Sequence, residues 1–215
     1  MHTIIKKLAG ICLESYRGKF SGNVIFSIDI NGVQASIIDE DNYCILVFRG
    51  SDERKDWEQD LKFNFVNTVY GKMHKGFKQS WDLVSSEIRK NLPSKPLYIT
   101  GHSYGGALAF ISGIYIPHLN VVTFGCPRVM HKNYFYYLKI NHLRVRNNND
   151  IVTMLPPKFL GYTHVGELLY LDYNGNKSNK INLLDKAKSH IKAWSKGQKF
   201  NAFYDHDINK YIEKL

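Results

Sequence analysis

The stretch that decides the fold is residues 97–109, which read LYITGHSYGGALA. The first four residues are apolar or β-branched and predict a short buried strand. A Gly-x-Ser-x-Gly pentapeptide centred on Ser103 comes next, followed by small apolar residues that predict a helix. A tight strand-to-helix turn of this kind exposes the serine hydroxyl at the edge of a sheet, and its glycines let neighbouring backbone approach closely. The alternative is an ordinary strand–helix turn that contains glycines.

Outward from this turn, strands alternate with helices. Nearly continuous apolar runs, typical of strands buried on both faces, occur at 43–49, 97–100, 121–124 and 142–146. Two further strands, 23–30 and 33–39, flank Asn31-Gly32, a strong hairpin signal. Helical patterns cover 4–17, 77–91 and 104–116, and the polar stretch 172–182 predicts a surface loop. We therefore predict one α/β domain over 1–215, with a mostly parallel central sheet, an antiparallel N-terminal hairpin and helices on both faces.

Length and composition agree with a globular chain. The chain has 215 residues, of which 44% are hydrophobic and 22% charged. These proportions exclude collagen-like, coiled-coil and largely disordered chains. The longest apolar runs have about five residues, too short to span a bilayer or to form a secretory signal. Cys12, Cys44 and Cys126 are widely spaced and form no CxxC pair, which indicates neither a zinc site nor a disulfide framework. We therefore expect a cytoplasmic location.

The charge balance is strongly basic. Lys and Arg number 29 against 19 Asp and Glu, for a net charge of +10. Such a balance favours anionic partners such as lipid surfaces or nucleic acid, although a solubility surface is the preferred interpretation. Because the chain contains no recognised nucleic-acid-binding motif, we expect no specific nucleic-acid partner.

Ser103 needs a base and an orienting carboxylate if it acts as a nucleophile. In a strand–turn–helix setting, the expected chain order is serine, carboxylate, histidine. The downstream carboxylate candidates are Asp150, Glu167, Asp172 and Asp185. Asp150 is preferred because it follows the strand at 143–146 and so lies at the carboxyl edge of the sheet, although an N-cap or Asx turn would also explain it.

The histidine remains open at this point. His164, His190 and His206 all follow Asp150, and their spacing does not choose between His164 and His206. Two backbone donors are expected for the oxyanion. One is the N–H of Tyr104, directly after the serine. The other is Ser51, which follows a strand and offers both an N–H and a hydroxyl.

Several motifs then appear in an order that resembles one family. They are VFRGS at 47–51 with DW at 56–57 and DL at 60–61, HKGF at 74–77, GHSYGGA at 101–107, TFGCPR at 123–128, NNNDIV at 147–152 and LPP at 155–157. From about residue 44 to residue 215, the chain resembles the class 3 (fungal-lipase-like) lipases of the α/β-hydrolase fold.

The resemblance implies a role for each candidate residue. Ser103 would be the nucleophile, Asp150 the triad acid and His206 the triad base, which favours His206 over His164. Ser51 would supply an oxyanion donor beside Tyr104, a position where the family more commonly has leucine. The implied activity is hydrolysis of acyl-lipid esters through an acyl-enzyme, without a metal or cofactor. An acyltransferase or thioesterase is the alternative, and a non-enzymatic protein that binds anionic lipid or nucleic acid is a distant third.

Two segments bear on the substrate. In the family, a lid follows the oxyanion residue; here the candidate, 52–65, is short and highly charged, which favours soluble esters, monoacylglycerols or polar lipids. Residues 183–198 place Ile191 and Trp194 on one helical face among lysines. Such a basic amphipathic helix can contact an anionic membrane, although packing against the sheet is the more common role.

Overall fold

The structure is a computed structural model that describes residues 2–51, 63–133, 138, 140–181 and 203–215. The membrane-contact candidate 183–198 and most of the lid candidate, 52–62, lie outside these residues. The helices are α1 (His2–Arg17), α2 (Lys75–Lys90), α3 (Tyr104–Tyr115) and α4 (Ile208–Lys214). The strands are β1 (Asn23–Ile30), β2 (Val33–Asp39), β3 (Cys44–Phe48), β4 (Phe65–Thr68), β5 (Gly71–His74), β6 (Leu97–His102), β7 (Asn120–Phe124), β8 (Met130–His131), β9 (His142–Asn147), β10 (Tyr162–Thr163), β11 (Glu167–Leu171) and β12 (Lys177–Ser178).

The central sheet has eight strands in the order β1-β2-β3-β6-β7-β9-β11-β12. Strands β3, β6, β7, β9 and β11 run parallel, whereas β1, β2 and β12 pair antiparallel. The predicted mostly parallel sheet with an antiparallel N-terminal hairpin is confirmed. The segment expected to be a surface loop, 172–182, contains the two-residue strand β12.

Two apolar layers cover the faces of this sheet. Along β3, Leu46 and Phe48 face the layer that contains α2 and α3, whereas Ile45 and Val47 face the layer that contains α1 and α4. This alternation follows from the two-residue period of a strand. It explains why the run at 43–49 is apolar at nearly every position: both faces of β3 are buried.

A second sheet, in the order β10-β8-β5-β4, was not predicted. Its strands have two to four residues, too few to show a sequence period. Strand β8 begins six residues after β7 ends, and β10 follows the loop that leaves β9. The small sheet therefore lies beside the carboxyl edge of the central sheet.

All three cysteines are buried and free. Burial raises the pKa of Cys12 and of Cys126 to about 12, so these thiols stay protonated and pack as small apolar groups. Among the described helices, none combines the length and the apolar character that a membrane crossing requires.

Candidate active site

Ser103 occupies the sharp turn between β6 and α3. Its backbone has φ 58° and ψ −126°, a conformation that side-chain-bearing residues rarely adopt. The Ser103 N–H donates to the Phe124 carbonyl at 2.9 Å, and the Ser103 carbonyl accepts from the N–H of Gly106 at 2.9 Å. These bonds to β7 and α3 hold the strained turn in place.

Gly101 and Gly105 are required by close backbone contacts. A Cβ atom on Gly101 would collide with the backbone of Gly105, and one on Gly105 would collide with the backbone of Phe48 and Arg49. These contacts bring the turn against the end of β3, the strand that leads to Ser51. The glycines are therefore needed for the close approach that the pentapeptide predicted.

Asp150 and His206 are joined by a hydrogen bond. His206 Nδ1 donates to Asp150 Oδ2 at 2.8 Å. The Asp150 side chain is fully buried and accepts two further bonds, from the Val152 N–H at 2.8 Å and from the Tyr211 hydroxyl. Three donors on a buried carboxylate fix both its position and the tautomer of His206.

The remaining nitrogen of His206 is available as a base. Since Nδ1 carries the proton, Nε2 presents a lone pair, and among the described residues this buried atom has no hydrogen-bond partner. His206, Ser103 and Ser51 line one cavity of about 350 Å³, together with Leu13 and Tyr16 of α1. Ser103 Oγ is accordingly not hydrogen-bonded to Nε2. Such a bond commonly tightens only when substrate binds.

The oxyanion candidates also lie at this site. Ser51 is exposed, follows β3 and lines the cavity. Tyr104 is the first residue of α3, a position at which the backbone N–H has no partner within the helix. The Tyr104 ring packs against Phe77 of α2, and its hydroxyl donates to Ser80 Oγ. This residue therefore offers the site its backbone N–H rather than its side chain.

His102 supports His206, a role that the sequence did not reveal. His102 Nε2 donates to the His206 carbonyl at 2.7 Å, and the Tyr16 hydroxyl donates to His102 Nδ1 at 2.7 Å. The two imidazole rings lie with centroids 4.5 Å apart. Burial, and then the proximity of His206, hold the pKa of His102 well below its usual range, so this ring stays neutral. Tyr16 and Tyr211 were also missed because they belong to no local motif.

The other candidates have different partners. His164 Nε2 donates to the Thr153 carbonyl at 2.7 Å, and burial holds the His164 pKa well below its usual range. Asp172 accepts from the backbone of Asn174 and Asn176 in a turn, and Glu167 begins β11 as an exposed residue. Asp185 and His190 lie outside the described residues. The structure thus pairs Asp150 with His206.

No described cluster of three His, Cys, Asp or Glu side chains is arranged to hold a metal ion. The groups gathered at the cavity include the Ser103 hydroxyl, the His206 imidazole oriented by Asp150, and backbone N–H donors, which is the set that serine-based chemistry uses.

Comparison with known proteins identifies the family. A family model described as Lipase (class 3) matches residues 45–160, which is more than half of the chain. The chain therefore belongs to the class 3 lipase family, and its fold is the α/β-hydrolase fold.

Individual relatives and structures agree. The chain is 33% identical to a lipase of Rhizomucor miehei over 165 residues, which cover 66% of this chain and 46% of the relative. It is 32% identical to a lipase of Rhizopus niveus over 150 residues, covering 60% and 38% of the two chains. The chain thus spans less than half the length of these curated relatives.

Solved structures extend the likeness across the fold. The triacylglyceride lipase of Rhizomucor miehei superposes with a TM-score of 0.75 at 24% identity, covering 95% of this chain and 92% of that chain. A triacylglycerol lipase described as having a serine protease triad as its catalytic centre gives a TM-score of 0.66 at 27% identity, covering 86% and 78%.

Proposed function

We propose that this protein is a serine carboxylic-ester hydrolase that cleaves acyl-lipid or small esters through an acyl-enzyme. The observation that carries the proposal is the buried Asp150–His206 hydrogen bond, which lies beside the strained Ser103 turn at one cavity. Relatives described as lipases, and one from Fusarium solani described as a secreted mono- and diacylglycerol lipase, support this substrate class.

The proposed reaction starts with attack of Ser103 Oγ on the ester carbonyl carbon. His206 Nε2 takes the hydroxyl proton, and the Asp150 carboxylate stabilises the imidazolium that forms. The carbonyl oxygen becomes an oxyanion, which accepts from the N–H groups of Ser51 and Tyr104. Each such donor is worth about 3 kcal/mol in the transition state.

The tetrahedral adduct that carries this oxyanion then collapses. The bond to the alcohol breaks, and the alcohol leaves with the proton from His206. Water then enters on the same side, gives its proton to His206 and attacks the acyl-enzyme. The acid is released and Ser103 recovers its proton.

A labelling experiment tests the proposal. A fluorophosphonate should form an adduct on Ser103, located by mass spectrometry, and p-nitrophenyl esters of increasing chain length should be hydrolysed. Ser103→Ala should remove both labelling and nearly all turnover while the protein stays folded by circular dichroism. Hydrolysis that persists in this variant would falsify the assignment of the nucleophile.

Two finer proposals rest on the sequence. Residues 183–198 are proposed to contact an anionic membrane surface, as their lysines, Ile191 and Trp194 suggest. The test is sedimentation of an Ile191→Ala, Trp194→Ala variant with anionic vesicles, and unchanged binding would contradict the proposal.

The cytoplasmic location is likewise a proposal, and fractionation of the host cells distinguishes it from secretion.

A further inference from the structure

Strand β9 carries basic side chains on one face, in the interior of the central sheet. Leu143 and Val145 pack into the layer that contains α1 and α4, so His142, Arg144 and Arg146 face the opposite side of the sheet. Arg144 lies in register between β7 and β11, and Arg146 is only 6% exposed. The two arginines therefore lie where neighbouring strands enclose them.

A third arginine, Arg128, reaches the same region from the segment after β7. It is also 6% exposed, and its Nη1 donates to the carbonyls of Met154 and, at 2.7 Å, Pro156 in the loop after β9. Arg146 Nε donates to the Asn148 carbonyl at the start of that loop. Burial lowers the pKa of Arg128 to about 10, and the charge of Arg146 acts in the same direction. The two guanidinium groups are thus neighbours, and both stay charged at neutral pH.

His164 lies near all three guanidinium groups. Its Nε2 donates to the Thr153 carbonyl of the same loop at 2.7 Å. Burial, and then the charges of Arg144, Arg128 and Arg146, hold the pKa of His164 well below its usual range. The arginines therefore form one cluster around a neutral imidazole, which we call the arginine cluster.

Each member of the arginine cluster keeps a buried N–H without an acceptor. The atoms are Arg128 Nε, Arg144 Nε and Arg146 Nη2, and none has a hydrogen-bond partner within the described ranges. None of the salt bridges found in those ranges involves these arginines. The buried Asp150 carboxylate accepts from three other donors instead. Because buried charge is costly unless it is paired and hydrogen-bonded, three such donors of one sign mark a place for an anion.

A small cavity adjoins the arginine cluster and limits the size of that anion. It has a volume of about 10 Å³, and its wall includes Arg144, His142, His164, Thr163 and Phe110 of α3. Such a volume has room for about one water-sized sphere. A single-atom anion needs little more space than a water molecule, whereas sulfate, phosphate or a carboxylate needs much more.

We propose that Arg144, with Arg128 and Arg146 beside it, forms an internal binding site for a halide ion such as chloride. The ion would lie in the cavity, accept from Arg144 Nε and offset the charge of the arginine cluster. A water molecule could accept the same hydrogen bond but would bring no negative charge. Since Arg128, Arg146 and His164 hold the loop after β9, halide binding would stabilise the folded protein around that loop.

Thermal unfolding of the parent protein tests the site. Tm is measured over a range of sodium chloride concentrations, with sodium gluconate, whose anion is too large for the cavity, keeping the ionic strength constant. An anion that binds only the folded state raises stability with its concentration. At ten times the dissociation constant, the ratio of folded to unfolded protein should rise about elevenfold and Tm by about 4 °C. Bromide should act as chloride does, and sulfate should add no response that depends on Arg144.

Two variants make the same chemical change at different places. Arg144→Met removes a guanidinium from the wall of the cavity and keeps an extended apolar side chain. Without halide it should unfold at the parental temperature or above, because one buried charge is gone, and it should show no response to chloride. Arg17→Met removes an exposed guanidinium at the end of α1 and should respond as the parent does.

A diffraction measurement needs no variant and so covers the case in which Arg144→Met does not fold. Crystals of the parent soaked in sodium bromide should show anomalous density beside Arg144. Any one of three results would overturn the site: no halide response in the parent, a parental response in folded Arg144→Met, or no bromide beside Arg144. Neither measurement requires turnover, so failure of the esterase proposal would leave the halide site standing.

Discussion

Several contacts hold His206, and only one of them is made with the Asp150 carboxylate. Asp150 accepts from its Nδ1, His102 donates to its backbone carbonyl, and the His102 ring lies against its imidazole. Tyr211 in turn fixes Asp150. Because proton transfer depends on small changes of distance and angle, these supports should appear in turnover more than in substrate binding.

Tyr211→Phe tests the support of the carboxylate. The substitution removes one hydrogen bond to Asp150 but keeps the buried ring, so the protein should stay folded. A hydrogen bond to a charged group contributes about 1.5–3 kcal/mol. We expect kcat to fall about tenfold or more with little change in KM, measured on a soluble ester. A variant with parental kcat would show that the other two donors are enough to orient Asp150.

His102 allows a matched pair of substitutions. His102→Gln keeps an N–H that can donate to the His206 carbonyl, whereas His102→Leu removes every donor. We expect the leucine variant to lose about tenfold more kcat than the glutamine variant, since it leaves that carbonyl unpaired. The pH profile of kcat/KM should shift only in the leucine variant. Equal losses of kcat in the two variants, with pH profiles that match the parent, would show that His102 acts only through packing.

Among the strands, a prediction succeeded where the sequence signal lies within the strand itself. The run at Cys44–Phe48 was recognisable because burial on both faces leaves an apolar side chain at every position. The small sheet was not, because its pairing of Met73 with Met130 joins distant segments of two to four residues. Short strands of this kind are determined by tertiary contacts rather than by propensity.

The residues of the candidate active site also divide into those with a local sequence signal and those that depend on contacts across the fold. The pentapeptide around Ser103 and the position of Asp150 after a strand could be predicted from local pattern. The choice between His164 and His206 could not, because it depends on which imidazole reaches Asp150 across the fold. The resemblance to class 3 lipases favoured His206, and the hydrogen bond from His206 to Asp150 agrees with it.

The junction between β6 and α3 carries a measurable strain. Ser103 has a positive φ that glycine adopts without cost, whereas a Cβ-bearing residue pays about 1–3 kcal/mol there. We therefore expect Ser103→Gly to be more stable than Ser103→Ala by about 1 kcal/mol in urea unfolding, with both variants inactive. Glycine also raises the entropy of the unfolded chain, by about 0.4–1 kcal/mol relative to alanine. A Ser103→Gly variant that is less stable than Ser103→Ala by that amount would therefore show that the turn is not strained.

The whole molecule buries several neutral histidines, and these should make its stability depend on pH. Burial lowers the pKa of His142 to about 3 and that of His74 to about 4. Both side chains are hydrogen-bonded in the neutral form: His142 Nδ1 donates to the Val165 carbonyl at 2.9 Å, and His74 Nδ1 accepts from the Phe77 N–H. Burial also lowers the pKa of His102 and of His164.

The sign of the effect follows from proton uptake. In the unfolded chain these histidines titrate near pH 6.5, so below that pH the unfolded state binds more protons than the folded state. Stability is therefore complete above about pH 6.5 and falls as the pH decreases toward the folded pKa values, by about 1.4 kcal/mol per pH unit for each such histidine. Urea unfolding at neutral pH and at about pH 5 should show this loss. His142→Gln retains a donor for the Val165 carbonyl and should lower the slope of unfolding free energy against pH by the contribution of one histidine. A slope equal to that of the parent would contradict the burial of a neutral imidazole at this position.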